Sequence, residues 1–127
     1  MILALKTDSD PTEFYIIDKQ GKISKQKKWH SERSLAKNLL AELDKILNGN
    51  FNKLSGLIVF SGPGSFTGLR IGITVMNTIA YAQNIPIIGT SGENWIKEGI
   101  KRLNSKDNDK IVIPNYGADV NITKPKK

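Results

Sequence analysis

Apolar residues recur first in short runs. ILAL at positions 2–5 and FYII at positions 14–17 each predict a strand, and DKQG at 18–21 reads as a turn. From Lys22 to Trp29 the chain alternates, predicting a third strand with Lys25 and Lys27 on one solvent-facing side. The period then changes. Leu35, Leu39, Leu40, Leu43, Ile46 and Leu47 fall within an arc of about 140° on a helical wheel. The spacing predicts a helix over 31–47, with Ser31 as N-cap and Asn48-Gly49 as the stop. LIVF at 57–60 predicts a strand buried on both faces. A helix follows from Phe66 to Ala82, ending near Asn84, then a strand over 85–88. A third helix is expected from a Ser91 cap to Leu103, with Trp95, Ile96, Gly99, Ile100 and Leu103 inward. SKDNDK at 105–110 reads as a loop, 111–113 as a last strand, and 114–127 as a tail.

Three hairpin-connected strands followed by alternating helices and strands give an α/β chain. The expected architecture is a mixed sheet of about five strands flanked by helices. This is the order of a single ribonuclease H-like domain, the building block of the actin-like ATPase superfamily, here over residues 1–113.

Composition narrows the chemistry. A chain of 127 residues has room for one core. Without cysteine it has no disulfide, thiolate metal site or cysteine nucleophile. No apolar run approaches a membrane span, and a cytoplasmic protein is expected. The net charge is +7, but only three of the basic residues are Arg. Readers of bases lean on Arg, so direct nucleic-acid binding is not the expected main role. His30 is the single histidine, which excludes a zinc-peptidase motif and leaves Ser61 and Ser65 without a histidine in their own motif. Asp8, Asp10 and Asp18 read as solvated turn residues.

The loop SGPGSFTGLRIG, residues 61–72, joins the buried strand to the second helix. Backbone N–H groups at such a helix start favour an anion. Gly62, Gly64, Ser65, Thr67, Gly68 and Arg70 are the candidate anion- or nucleotide-binding residues. Neither known phosphate fingerprint fits: the Walker lysine is missing, and the third glycine comes one residue late for a dinucleotide loop. The competing reading is that the glycines serve backbone geometry and close packing. The helix after the loop has an apolar arc of about 200°, twice what one sheet face needs. The surplus points to packing on the first helix and on a partner.

The loop SGPGSFTGLRIG resembles the signature of the TsaB (YeaZ) family. ILALKT at the start resembles the family's first strand, in which ILAL is followed by Asp-Thr. Trp29-His30-Ser31-Glu32 resembles its stretch around a histidine opening the first helix, and IPIIGTS at 85–91 resembles the strand after the signature helix. The resemblance implies an actin-like fold of two similar domains. It implies a non-catalytic subunit of the machinery that makes threonylcarbamoyladenosine in tRNA, supporting a paralogous TsaD-type transferase. A TsaE-type ATPase joins that assembly, and tRNA is engaged indirectly. The two helices are implied to form the association surface, with the interface expected at Leu40, Leu47, Ile71, Val75, Ile79 and Ala82. A homodimer is the alternative in the absence of a partner.

Two departures bear on catalysis. Lys6 stands where the family has Asp, and a lysine cannot ligate Mg²⁺; it is expected to attract an anion or fill a void. The family's second domain is expected to be absent, with 114–127 as a tail. No cofactor is therefore expected, ATP or ADP binding being a residual alternative. The competing functions are an ATPase-like enzyme using residues 61–68 and a small basic tRNA-binding module.

Overall fold

The computed structural model describes residues 1–115, the side chain of Glu32 excepted. Among the described residues three strands are followed by alternating helices and strands: β1 (Ile2–Lys6), β2 (Thr12–Ile17), β3 (Ile23–Trp29), α1 (Leu35–Leu47), β4 (Gly56–Phe60), α2 (Phe66–Gln83), β5 (Ile87–Thr90) and α3 (Trp95–Asn104). The strands lie in the order β3-β2-β1-β4-β5. The β1–β2 and β2–β3 pairs are antiparallel; β1–β4 and β4–β5 are parallel. The expected mixed five-stranded sheet flanked by helices is therefore what the chain forms.

Strand register sorts the core into two layers. Leu3 lies opposite Ile16 and Leu57, and Leu5 opposite Phe14 and Val59. This face meets α1 and α2, whose buried residues include Leu35, Leu39, Leu43 and Leu47 on α1 and Leu69, Ile73 and Met76 on α2. On the other face Tyr15 and Phe60 pack edge-on against Trp95 of α3, with ring centroids 6.0 and 5.8 Å away. Gly99 lets α3 approach the sheet, since a Cβ there would sit 2.6 Å from Cγ2 of Ile58.

Helix boundaries follow from local chemistry. The Ser31 hydroxyl makes no cap bond to the chain that follows; a short 3-10 turn at Glu32–Ser34 intervenes and α1 begins at Leu35. Asn48 ends α1 in the left-handed region, φ 51°, and Asn84 ends α2 likewise, φ 55°. α3 starts at Trp95 rather than after Ser91, because Gly92 at φ 82° breaks the helical path. The expected strand at 85–88 moves to 87–90. The Ile85 N–H is taken by the Ala80 carbonyl at the helix end. Residues 111–113 form no strand. Asn77 of α2 instead holds Val112 at both backbone groups, donating to its carbonyl at 3.0 Å and accepting its N–H at 2.9 Å. Only residues 114 and 115 of the expected tail are among the described residues.

β3 is an edge strand, and Lys25 and Lys27 lie on its α1 side, opposite Ile16 and Phe14. Lys27 is not simply solvated: its Nζ reaches Oε1 of Glu42 on α1 at 2.7 Å.

Candidate functional site

Two concavities lie along the α1/α2 layer. The first is a cleft of about 580 Å³ beyond the carboxyl end of β1, where ligands tend to sit in parallel sheets. It is lined by the β1–β2 turn, including Thr7, Asp8 and Asp10, and by the starts of the first two helices, including Arg33, Ser65 and Thr67.

Several polar groups around this cleft are bound to the chain itself. The Lys6 ammonium meets Asp8 Oδ1 at 2.6 Å and lies 4.6 Å from the centre of the Phe60 ring. Its charge is thus engaged by a carboxylate of the chain itself and by a ring. Thr7, buried, donates its hydroxyl to the Gly68 carbonyl at 2.7 Å. The Ser65 N–H donates to the Asp8 carbonyl at 3.0 Å. Asp10 accepts the Ser31 N–H at 3.0 Å and lies 3.3 Å from Nδ1 of His30. Asp18 is elsewhere, bracing the β2–β3 turn by accepting the N–H groups of Gln20 and Lys22. No group of three His, Cys, Asp or Glu suited to a metal occurs among the described residues.

The glycines of the loop are packed against the chain itself. A Cβ on Gly68 would collide with the Thr7 carbonyl oxygen, and one on Gly72 with the Thr7 hydroxyl. Gly64 abuts Asp8. Gly62, at φ 119°, is buried beneath the Asn115 carbonyl and Leu69. Of the six expected anion-binding residues, Ser65, Thr67 and Gly68 line the cleft. Gly62 and Gly64 do not line it, and Arg70 is turned away, its guanidinium 5.5 Å from the centre of the Phe66 ring.

The second concavity is an apolar groove of about 560 Å³ between the later turns of α1 and α2. Leu40, Ala41 and Asp44 form one wall, Thr78, Ala82 and Gln83 the other, with Ile79 and Phe51 contributing. Leu40 is 55% exposed although it is a large aliphatic residue on a helix. Of the expected interface residues, Leu40 and Ala82 are exposed, and Ile71 and Val75 are half-buried. Leu47 is not available: at 2% exposure it belongs to the ridge Leu35, Leu39, Leu43, Leu47, whose i, i+4 spacing turns it onto the sheet. Ile79, at 6%, is buried and contributes the groove's floor. Ala41 and Thr78 were missed by sequence reasoning. The spacing of Ile71, Val75, Thr78 and Ala82 carries the signal, since steps of four, three and four residues keep one helical face.

Two ionisable groups, one beside this layer and one on the α3 side of the sheet, are perturbed. Lys27, followed by Lys45, holds the Glu42 carboxyl below its ordinary value. Burial, then the neighbouring Glu13, pushes the Tyr15 hydroxyl up to about 12.

Comparison with known proteins places the chain. The family described as "TsaD: tRNA N6-adenosine threonylcarbamoyltransferase" matches residues 22–99. The "tRNA threonylcarbamoyladenosine biosynthesis protein TsaB" of Bacillus subtilis (strain 168) is 39% identical over 65 residues, 51% of this chain and 26% of that protein. The protein of the same name from Haemophilus influenzae is 28% identical over 81 residues, 61% of this chain and 34% of that protein. Among solved structures, YeaZ from Pseudomonas aeruginosa superposes with a TM-score of 0.63 at 26% identity, covering 71% of this chain and 43% of that one. The chain thus matches about a quarter to a third of the length of these curated relatives. The architecture is the ribonuclease H-like, actin-like one of the YeaZ structures.

Proposed function

We infer the role from membership: the chain belongs to the TsaD family, tRNA N6-adenosine threonylcarbamoyltransferase, and is of the TsaB (YeaZ) type within it. In our reading it is a cytoplasmic subunit of the machinery that forms threonylcarbamoyladenosine in tRNA. Residues 1–113 act as the working domain. It is a non-catalytic scaffold that binds and supports a TsaD-type transferase through the α1/α2 groove. A TsaE-type ATPase joins the same assembly, and a homodimer through this face is its state when alone.

The observation that carries this reading is the groove. Leu40 and Ala82 are exposed beside a buried Ile79, an apolar surface that a docking helix would take out of water. The cleft supports the non-catalytic part. Its carboxylates are paired internally, and its glycines are filled by the β1–β2 turn and the chain near Asn115. We propose that the chain works without a bound nucleotide or metal.

Co-purification with the TsaD-type transferase tests the proposal. A stoichiometric complex at micromolar concentration is expected. Folded protein that fails to bind would refute the scaffold role. Mg²⁺-dependent ATP turnover by the chain alone, abolished by Thr67→Ala, would refute the non-catalytic one.

A further inference from the structure

The β2–β3 hairpin carries an unbalanced charge. Between Thr12 and Trp29 five lysines stand against two acids, Glu13 and Asp18. Both acids are engaged locally: Asp18 with the turn backbone, Glu13 with the Tyr15 hydroxyl. Among the described residues only Lys27 of the five forms an ion pair, to Glu42. Lys19, Lys22, Lys25 and Lys28 form none, and every residue from Lys19 to Lys28 is exposed.

The strand geometry sets these cations out along one edge. Lys25 lies opposite Ile16 on the α1 side of the sheet, and Lys28 opposite Glu13 on the other side. At a rise of about 3.4 Å per residue, Lys22 to Lys28 extend over roughly 20 Å. Between them stand Ser24 and Gln26, so the edge is polar throughout except for Ile23. One half-exposed isoleucine gives a membrane no apolar wedge. The chain's three arginines, Arg33, Arg70 and Arg102, all lie outside the hairpin, so the edge has point charges for phosphate and no bidentate reader of bases.

We propose that the β3 edge contacts the ribose-phosphate backbone of RNA, independently of sequence, through Lys19, Lys22, Lys25 and Lys28. The RNA is the tRNA substrate of the assembly, and that identity rests on the function proposed above. The edge adds affinity and orientation while the bases are read elsewhere. Edge lysines also discourage strand pairing, a role that involves no RNA and that the following experiment separates.

The full chain, alone and with its TsaD-type partner, is titrated with unmodified tRNA between 50 and 200 mM salt. The same is done for the triple variant Lys22→Gln/Lys25→Gln/Lys28→Gln. Loss of three phosphate contacts lowers the slope of log K against log salt by about 2. At 50 mM salt the variant binds tRNA at least about tenfold more weakly, while its melting temperature and partner capture are unchanged. The single variants Lys25→Gln and Lys28→Gln each lower the slope by about 0.7 and serve if the triple variant melts early. An unchanged slope overturns the proposal. So does a wild-type chain that binds no tRNA in either state, or displacement of tRNA by polyglutamate at equal charge concentration. Failure of partner capture by the wild-type chain refutes the scaffold reading instead, and the salt slope of the chain alone still decides the RNA contact.

Discussion

The cleft at the helix starts and the groove at the helix ends share the same two helices but leave very different surfaces. At the cleft several groups bond within the fold: Thr7 to Gly68, Ser65 to Asp8, Asp8 to Lys6 and Asp10 to Ser31, while Arg33 and Thr67 also line it. At the groove it leaves Leu40 and Ala82 in water over an apolar floor. A polar group already bonded in the fold has less to offer a ligand, whereas an exposed apolar groove gains by being covered. The glycines of the loop that looks like a phosphate cradle in sequence pack closely against the chain. The helix that the loop launches carries half of the open groove.

The strongest way to break this contrast is at Gly68. Gly68→Ala drives a methyl into the Thr7 carbonyl, which is backbone and cannot swing aside. A loss of about 3 kcal/mol is expected in chemical denaturation, with partner affinity per folded molecule unchanged. A mild loss would mean that the loop has room to spare and that the cleft is less self-filled than it looks. Thr7→Val keeps the shape and removes the hydroxyl donated to Gly68. It should cost about 1 kcal/mol by removing that hydrogen bond.

These glycine roles could not be read from the sequence, because Thr7 and Gly68 are sixty-one positions apart and only the sheet brings them together. The fold itself was legible. Runs such as LIVF at 57–60 and the 3.6-residue period over 35–47 report burial directly, and both became the elements expected of them. The errors fall where a single distant or local contact outweighs the pattern. Asn77 bonds both backbone groups of Val112 and replaces the last strand, while Gly92 delays α3 by a turn. For the groove, the helical arc showed that α1 and α2 carry surplus apolar surface. It could not rank Leu40 against Leu47, which differ only in which side of the ridge the sheet covers.

A smaller effect lies at the flank of the groove layer, where Lys27 ties β3 to α1 through Glu42. Lys27→Ala should cost under about 1 kcal/mol at neutral pH. The pair holds the folded Glu42 carboxyl below its unfolded value. Its contribution is therefore present above the ordinary glutamate range near 4.5 and is lost as pH falls through the folded value. Urea unfolding of wild type and variant should thus converge in acid; a gap that persists there would assign the loss to packing instead. The smallest effect is at Tyr15, on the α3 side. Its folded value is raised from 10.0 to about 12. The associated stability is complete below pH 10 and fades as pH rises through 12. The ultraviolet difference titration of wild type against Tyr15→Phe should show phenolate forming near 12, and ionisation near 10 would contradict the half-buried contact with Glu13.

The central claim is that the groove, and not the cleft, is where this chain does its work. The direct test measures affinity for the TsaD-type transferase by calorimetry with Leu40→Glu beside Thr67→Ala. Leu40→Glu places a charge at the centre of an apolar contact while its own helix position stays solvent-facing. It should weaken binding about a hundredfold or more with the melting temperature nearly unchanged, and Thr67→Ala should leave affinity within about twofold. Full affinity in Leu40→Glu, or a comparable loss in Thr67→Ala, would contradict the account.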